Sequence, residues 1–150
     1  MRKFALSLMA LSLGAACTPA TTAQQPATPT KSMGLILMDE DEYAALPERD
    51  PLMRGRLPQF VDLSPFFPTP GHQGEQGSCV GWAVGYALKT YQEAMELEIS
   101  SPQPLDHFSP AFVFNSIKQG DDCSDGSLIS DALEFVANTG AVRMEDFPYQ

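Results

Sequence analysis

The sequence contains no Cys-x-x-Cys pair, only two histidines and few basic residues. The missing cysteine pair argues against a thiol–disulfide redox protein. Nine lysines and arginines stand against 19 aspartates and glutamates, a formal net charge of −10. The chain therefore lacks the positive surface with which proteins bind nucleic acid or an anionic membrane. The acidic run 39–42 has no glycine turn and no spaced ligand pattern, so it predicts a solvated face rather than a calcium site.

The first 17 residues have the layout of a secretory signal. Arg2 and Lys3 precede an apolar run from Phe4 to Leu13, which is too short for a permanent membrane span. Small residues then run into Cys17 and resemble the lipobox of bacterial lipoproteins, in which the cysteine is acylated. Gly14 stands where that pattern prefers leucine, so ordinary cleavage and release of a soluble protein stays open. We expect export to the bacterial cell envelope, with a lipid anchor at Cys17, or secretion.

The composition divides the chain into three parts. Residues 1–17 are the predicted signal peptide. Residues 18–58 are a tether and an extended lead-in, because they begin with a stretch free of large apolar residues and later contain three prolines. Within this part, the apolar stretch 33–38 predicts an edge strand or an extended segment docked on the domain. Residues 59–150 form the predicted folded domain.

Three helices are predicted in the folded domain. The first begins after Ser78, a natural N-cap. The second is capped by Ser109 and ends near Gly120, and the third covers about 128–138 with Gly140 as its terminator. The apolar stripe of the first helix has helical spacing and comprises Val80, Ala83, Val84, Ala87, Leu88, Tyr91 and Met95.

Cys79 falls in the first turn of the first predicted helix. Unsatisfied backbone N–H groups and the positive end of the helix dipole favour a thiolate there, the nucleophilic form of cysteine. Gln73 lies six residues earlier across a glycine-rich bend. Its side-chain amide and the backbone N–H of Cys79 would converge beside the thiolate as an oxyanion hole. The residues alone are equally compatible with a packing cysteine, since buried free cysteines are common.

Several blocks between residues 60 and 150 resemble papain-like cysteine peptidases, in the same order. The stretch HQGEQGSCVGW is similar to the family's active-site segment, in which a glutamine precedes the catalytic cysteine by six residues and a long helix follows. The other blocks are FVDLS at 60–64, LDHFSPAFVFN at 105–115, DDCSDGS at 121–127 and DFPYQ at 146–150. The resemblance implies an α+β, two-lobed fold, of which residues 59–150 cover the mainly helical N-terminal lobe.

The resemblance also implies roles for four residues. Cys79 would be the nucleophile and Gln73 the side-chain donor of the oxyanion hole. Gly126 and Ser127 would line the substrate cleft, where the family has paired glycines. Ser127 is thus one departure from the family pattern, and Val80 is another, because the family has tryptophan directly after the nucleophile.

The third departure concerns a disulfide. In the family, the loop that corresponds to 121–127 is bridged to a cysteine three residues before the nucleophile, and that position is Gln76 here. A disulfide between Cys79 and Cys123 is therefore a competing interpretation. Such a bond would remove the nucleophile.

A cysteine peptidase needs a base that takes the thiol proton and protonates the leaving amine. The resemblance implies a histidine and an asparagine about 130–150 residues after the cysteine, which would fall beyond residue 150. His72 is predicted to be a loop residue, and His107 a surface or capping residue. Neither is expected to be the base.

The predicted function is hydrolysis of peptide bonds through a thioester on Cys79, with a peptide or protein as substrate and no metal or organic cofactor. We expect the 150-residue chain by itself to be inactive. The alternative is a non-catalytic envelope lipoprotein that uses a degenerate peptidase lobe to bind peptides or a partner protein.

Overall fold

A computed structural model describes residues 33–48 and 58–150. The predicted signal peptide, the lipidation candidate Cys17 and most of the tether lie outside these residues. The described parts contain two short strands, four α-helices, one π-helix and two 3₁₀ turns. None of the helices in these two ranges has the length and hydrophobicity that a membrane span requires.

The elements follow one another in this order. They are β1 (Leu35–Ile36), α1 (Glu40–Ala44), a 3₁₀ turn (Ser64–Phe66), a π-helix (Gly81–Leu88), α2 (Lys89–Glu96), a second 3₁₀ turn (Pro104–Asp106), α3 (Pro110–Ile117), β2 (Ser127–Leu128) and α4 (Ile129–Thr139).

The central helix runs without a break from residue 79 to residue 96 and includes the π-helix and α2. Its start is where the sequence predicts it. Of the predicted apolar stripe, Val80 and Val84 are buried, but Leu88 and Met95 are 36% and 42% exposed. The stripe was predicted for an α-helix with 3.6 residues per turn. A π-helix has i→i+5 hydrogen bonds and therefore more residues in each turn. The predicted stripe therefore leaves the buried face after the first turns, and Thr90 and Ala94 are buried instead.

Helix α3 approaches the central helix closely because two glycines face it. A Cβ atom on Gly81 would lie 2.6 Å from the carbonyl oxygen of Pro110, and one on Gly85 would lie 2.8 Å from Cγ2 of Val113. Around this contact lies the core cluster of Val80, Val84, Val113, Ile117 and Ala132. Phe114 has no exposed surface and is the largest fully buried side chain.

We predict that Gly81→Ala destabilises the fold, although alanine is the better helix former. The added methyl would meet a backbone carbonyl at 2.6 Å, and such overpacking costs about 1–3 kcal/mol. Chemical denaturation monitored by circular dichroism measures the change. Ala83→Gly is the matched control at an exposed position of the same π-helix, where only backbone entropy changes, by about 0.5–1 kcal/mol. A more stable Gly81→Ala protein would contradict the close helix contact.

The other two predicted helices are confirmed. At the start of α3, the hydroxyl of Ser109 accepts a hydrogen bond from the N–H of Phe112 at 3.1 Å, and Pro110 occupies the first helical position. The helix ends at Ile117, slightly before the predicted stop. Helix α4 ends at Gly140, whose φ of 92° requires the left-handed region that glycine tolerates.

The segment 33–48, called the arm below, joins the domain through a parallel strand pair. Leu35 pairs with Ser127 and Ile36 with Leu128, which confirms the predicted docked strand. The prediction of an extended lead-in is wrong at 40–44, where the chain forms α1. The carboxylate of Asp39 accepts a hydrogen bond from the N–H of Asp41 at 2.9 Å and caps this helix. Its acidic residues are exposed, as predicted.

Candidate functional site

Cys79 is the first residue of the central helix. It is a free cysteine, and its half-buried side chain packs against the core cluster. Cys123, in the loop between α3 and β2, is disulfide-bonded. The interpretation of a Cys79–Cys123 disulfide is therefore wrong. A free thiol at a helix start fits a nucleophile, while its contact with the core also fits a packing residue.

Gln73 lies in the loop that leads into the central helix. Its side-chain Nε2 donates a hydrogen bond of 2.9 Å to the backbone carbonyl of Gln76. The backbone carbonyl of Gln73 accepts a hydrogen bond of 2.6 Å from the hydroxyl of Tyr149. Between them, Gly74 turns the chain with a φ of 66°. Both the side chain and the backbone of Gln73 are thus held by hydrogen bonds.

Ser78 does not form the predicted capping bond. Its carbonyl accepts the first helical hydrogen bond, from the N–H of Trp82 at 3.0 Å. Its buried hydroxyl, however, lies 2.5 Å from the hydroxyl of Tyr149, instead of accepting from the helix N-terminus as an N-cap does. The predicted helix start is confirmed and the predicted cap bond is wrong, because a tertiary partner competes for the hydroxyl.

Tyr149 also belongs to this site, although no sequence pattern indicated a role for it. Its ring meets Trp82 edge-on, with centroids 4.9 Å apart, and its hydroxyl joins Ser78 to Gln73. Next to it, the carbonyl of Gln150 accepts a 2.7 Å hydrogen bond from the side chain of Gln76. The DFPYQ block contains this tyrosine and was the one sequence feature that could have indicated it. Periodicity, however, does not predict contacts between residues that are more than 70 positions apart.

Gly126 and Ser127 lie beneath the arm. The N–H of Ser127 donates to the carbonyl of Gly34 at 2.8 Å, and a Cβ on Gly126 would come within 2.7 Å of that carbonyl oxygen. A Cβ on Gly34 would in turn lie 1.6 Å from the oxygen of Gly77, two residues before Cys79. The backbone that the resemblance assigns to substrate binding is therefore paired with the chain's own arm.

Ser127 carries a further anomaly. The residue is fully buried, and its hydroxyl has no hydrogen-bond partner among the residues that the structure describes. An unsatisfied buried polar group costs about 1–3 kcal/mol. The contact between arm and domain therefore contains a polar group that another occupant of this edge could satisfy.

A cleft of about 530 Å³, lined mostly by residues of polar type, opens between two loops. One wall is the loop from His72 to Gln76, and the other is formed by the loop 122–124 that contains the disulfide-bonded Cys123. Tyr149 and Gln150 also line it. Gln73 thus faces a space that can admit a ligand.

His72 is exposed beside this cleft. Its Nδ1 accepts a hydrogen bond of 2.9 Å from the N–H of Gly74, which assigns the neutral ring proton to Nε2. Because Nε2 then carries the proton, it cannot take one from a thiol. His72 is a loop residue, as predicted.

For His107 the predicted surface position is wrong, since it is 9% exposed, but the predicted capping position is confirmed, because it is the C-cap of the second 3₁₀ turn. Its Nε2 lies 3.2 Å from the carbonyl of Pro102 and its Nδ1 lies 3.3 Å from the hydroxyl of Tyr86. Tyr86 also donates to the carbonyl of Thr69 at 2.7 Å, and its burial raises its pKa above the ordinary tyrosine value. Both ring nitrogens of His107 are therefore engaged in a buried network around the middle of the central helix, away from its start.

Within the described residues, no group of three or more histidine, cysteine, aspartate and glutamate side chains is arranged to hold a metal ion. Comparison of the chain with protein-family models, with curated proteins and with solved structures finds no match. The family and the residue roles implied by the resemblance therefore stay predictions.

Proposed function

We propose that the chain is the nucleophile-bearing lobe of a cysteine peptidase, which hydrolyses peptide bonds through a thioester on Cys79. The observation that carries the proposal is the free cysteine at the start of the central helix, with Gln73 tied to the preceding residue through a single tyrosine hydroxyl. The loop that contains Gln73 is thereby joined by hydrogen bonds to the residue directly before Cys79.

In the proposed reaction, the sulfur of Cys79 attacks the carbonyl carbon of the scissile peptide bond. Negative charge develops on the carbonyl oxygen, where the Gln73 amide and the backbone N–H of Cys79 stabilise it. The C–N bond then breaks, the amine leaves with a proton, and the acyl group stays on sulfur as a thioester. Water hydrolyses the thioester and restores the thiol.

The proton transfers of this reaction need a base that neither histidine of the chain supplies. His72 presents a protonated Nε2, and both nitrogens of His107 are engaged. In the proposed reaction the base is therefore a residue other than these two histidines, as the resemblance implies. We expect the 150-residue chain to form a covalent adduct at Cys79 but not to turn over a peptide.

Labelling with a peptidyl chloromethyl ketone, mapped by mass spectrometry, tests the proposal. The folded chain should be alkylated at Cys79, a soluble peptide should slow the alkylation, and Cys79→Ala should remain unlabelled. Labelling that occurs only after unfolding would show that Cys79 is a packing residue. Thiol-dependent peptide cleavage by the chain, lost in Cys79→Ala, would contradict the missing base and return His72 as a candidate.

The second candidate is a non-catalytic module that binds peptides or a partner protein at the cell envelope. The specific observation in its favour is that Cys79 packs against the core cluster, whereas the open cleft beside Gln73 is not lined by Cys79. Under this alternative, peptides bind the cleft equally well in Cys79→Ala, and the peptidyl chloromethyl ketone gives no adduct at residue 79.

A further inference from the structure

The hydroxyl of Tyr149 stands between the two chain segments that border Cys79. It donates its proton to the carbonyl of Gln73 at 2.6 Å, and a carbonyl oxygen can only accept. The 2.5 Å contact with Ser78 therefore has its proton on the serine. The order of donation is Ser78 Oγ–H to Tyr149 Oη, and Tyr149 Oη–H to Gln73 O.

This chain of hydrogen bonds replaces a local interaction that the sequence favours. Ser78 precedes a helix and would ordinarily cap it, a bond worth about 1 kcal/mol. Its hydroxyl is buried and is used by Tyr149 instead. Residues that depart from such a local preference concentrate at functional or strained sites. Here the Ser78 hydroxyl gives up the capping bond and is linked through Tyr149 to Gln73.

The ring of Tyr149 is itself held in place. It packs edge-on against Trp82, one turn into the central helix, and the adjacent Gln150 carbonyl accepts from the side chain of Gln76. The side chain of Gln73 in turn donates to the carbonyl of Gln76. Contacts with the loop that contains Gln76 and with the central helix therefore hold the Tyr149 hydroxyl in position.

We infer that Tyr149 is a positioning residue, which sets the distance between the Gln73 amide and the backbone N–H of Cys79 so that both reach one oxyanion. The inference rests on the proposed function. Tyr149 does not touch the reacting atoms; it acts through Gln73 and Ser78. Loss of its hydroxyl should weaken oxyanion binding while leaving the thiol as reactive as before.

The test uses acetyl-Phe-Gly aldehyde, which adds reversibly to a thiol. The S–C bond forms, the C=O double bond becomes single, and the thiol proton ends on the oxygen that the oxyanion hole binds. The comparison reagent is 4,4′-dithiodipyridine, which forms a mixed disulfide and releases thiopyridone without any oxyanion. Tyr149→Phe removes the hydroxyl and retains the ring on Trp82.

Misplacement of a catalytic group by about 1 Å can cost a hundredfold, so we expect Tyr149→Phe to weaken aldehyde binding by roughly tenfold or more. The rate with 4,4′-dithiodipyridine should not change. In a Gln73→Ala background, Tyr149→Phe should have no further effect, because the side-chain amide that it positions is gone. Tyr91→Phe is the matched control, since that tyrosine stacks on Phe67 at 4.6 Å and its hydroxyl has no hydrogen-bond partner in the described ranges.

Equal aldehyde affinity in wild type and Tyr149→Phe would overturn the inference. The inference would also be overturned if Tyr149→Phe lowered aldehyde affinity as much in the Gln73→Ala background as in the wild type. Such a result would indicate a general structural effect. If Tyr149→Phe does not fold, Ser78→Ala removes the other end of the same chain of bonds and should lower aldehyde affinity in the same direction. A wild-type chain that forms no adduct at Cys79 overturns the proposed function itself, whereas the first two results leave it standing.

Discussion

Replacing Gly34 with alanine is expected to release the arm from the domain. Any Cβ at this position would lie 1.6 Å from the backbone oxygen of Gly77, and a backbone carbonyl cannot swing aside as a flexible side chain can. The parallel pairing of β1 with β2 and the bond from Ser127 N–H to the Gly34 carbonyl are then lost. We expect the Ser127 amide to exchange with deuterium about a hundredfold faster, because local opening no longer has to break the strand pair.

Met33→Ala is the control for this experiment. Met33 lies in the same arm, next to Gly34, but is 85% exposed, so its replacement leaves the strand pair intact. Unchanged Ser127 exchange in Gly34→Ala would show that the arm tolerates a side chain and that the contact is loose. Under the proposed function, release of the arm also uncovers Gly126 and Ser127, and alkylation of Cys79 by the peptidyl chloromethyl ketone should become faster.

Phe114→Ala is expected to produce the largest loss of stability in the molecule. Its side chain is fully buried, and α3 carries it against the central helix beside Gly81. Truncation of a buried phenylalanine loses its transfer free energy and leaves a cavity, a combined cost of about 3–5 kcal/mol. Total stabilities of single domains are about 5–15 kcal/mol, so a substantial fraction of the chains would be unfolded well below the melting temperature of the wild type.

Urea denaturation followed by circular dichroism measures this change in the free energy of unfolding. Phe60→Ala is the matched control, because Phe60 is 79% exposed and substitutions at such positions stay within about 0.5 kcal/mol. A loss below about 1 kcal/mol for Phe114→Ala would mean that the contact between α3 and the central helix is not the core of this fold.

Local patterns predicted the helices correctly where the signal was local. Ser109 and Pro110 start α3, Gly140 ends α4, and Cys79 opens the central helix. Each of these features depends on a few adjacent residues whose backbone preferences point the same way. The docked strand at 33–38 was also predicted, but its apolar side chains stay largely exposed, for example 80% at Leu37, so backbone pairing with β2 holds it.

Other features could not be read from local patterns. The π-helical stretch changes the number of residues per turn, so Leu88 and Met95 leave the predicted buried face. The burial of His107 depends on Tyr86 and Pro102, which come from separate segments. The spacing of residues along the chain does not predict contacts between such separate segments.

The sequence by itself determined the positions on which the proposed chemistry depends: a cysteine at a helix start and a glutamine six residues before it. Only the tertiary structure decided how these positions are held and covered. The hydroxyl of Tyr149 reaches Gln73 and Ser78 across more than 70 residues, and the arm pairs with the backbone at Ser127. The reason is physical: backbone propensities act over a few residues, whereas hydrogen bonds and steric contacts depend on which distant segments the fold brings together.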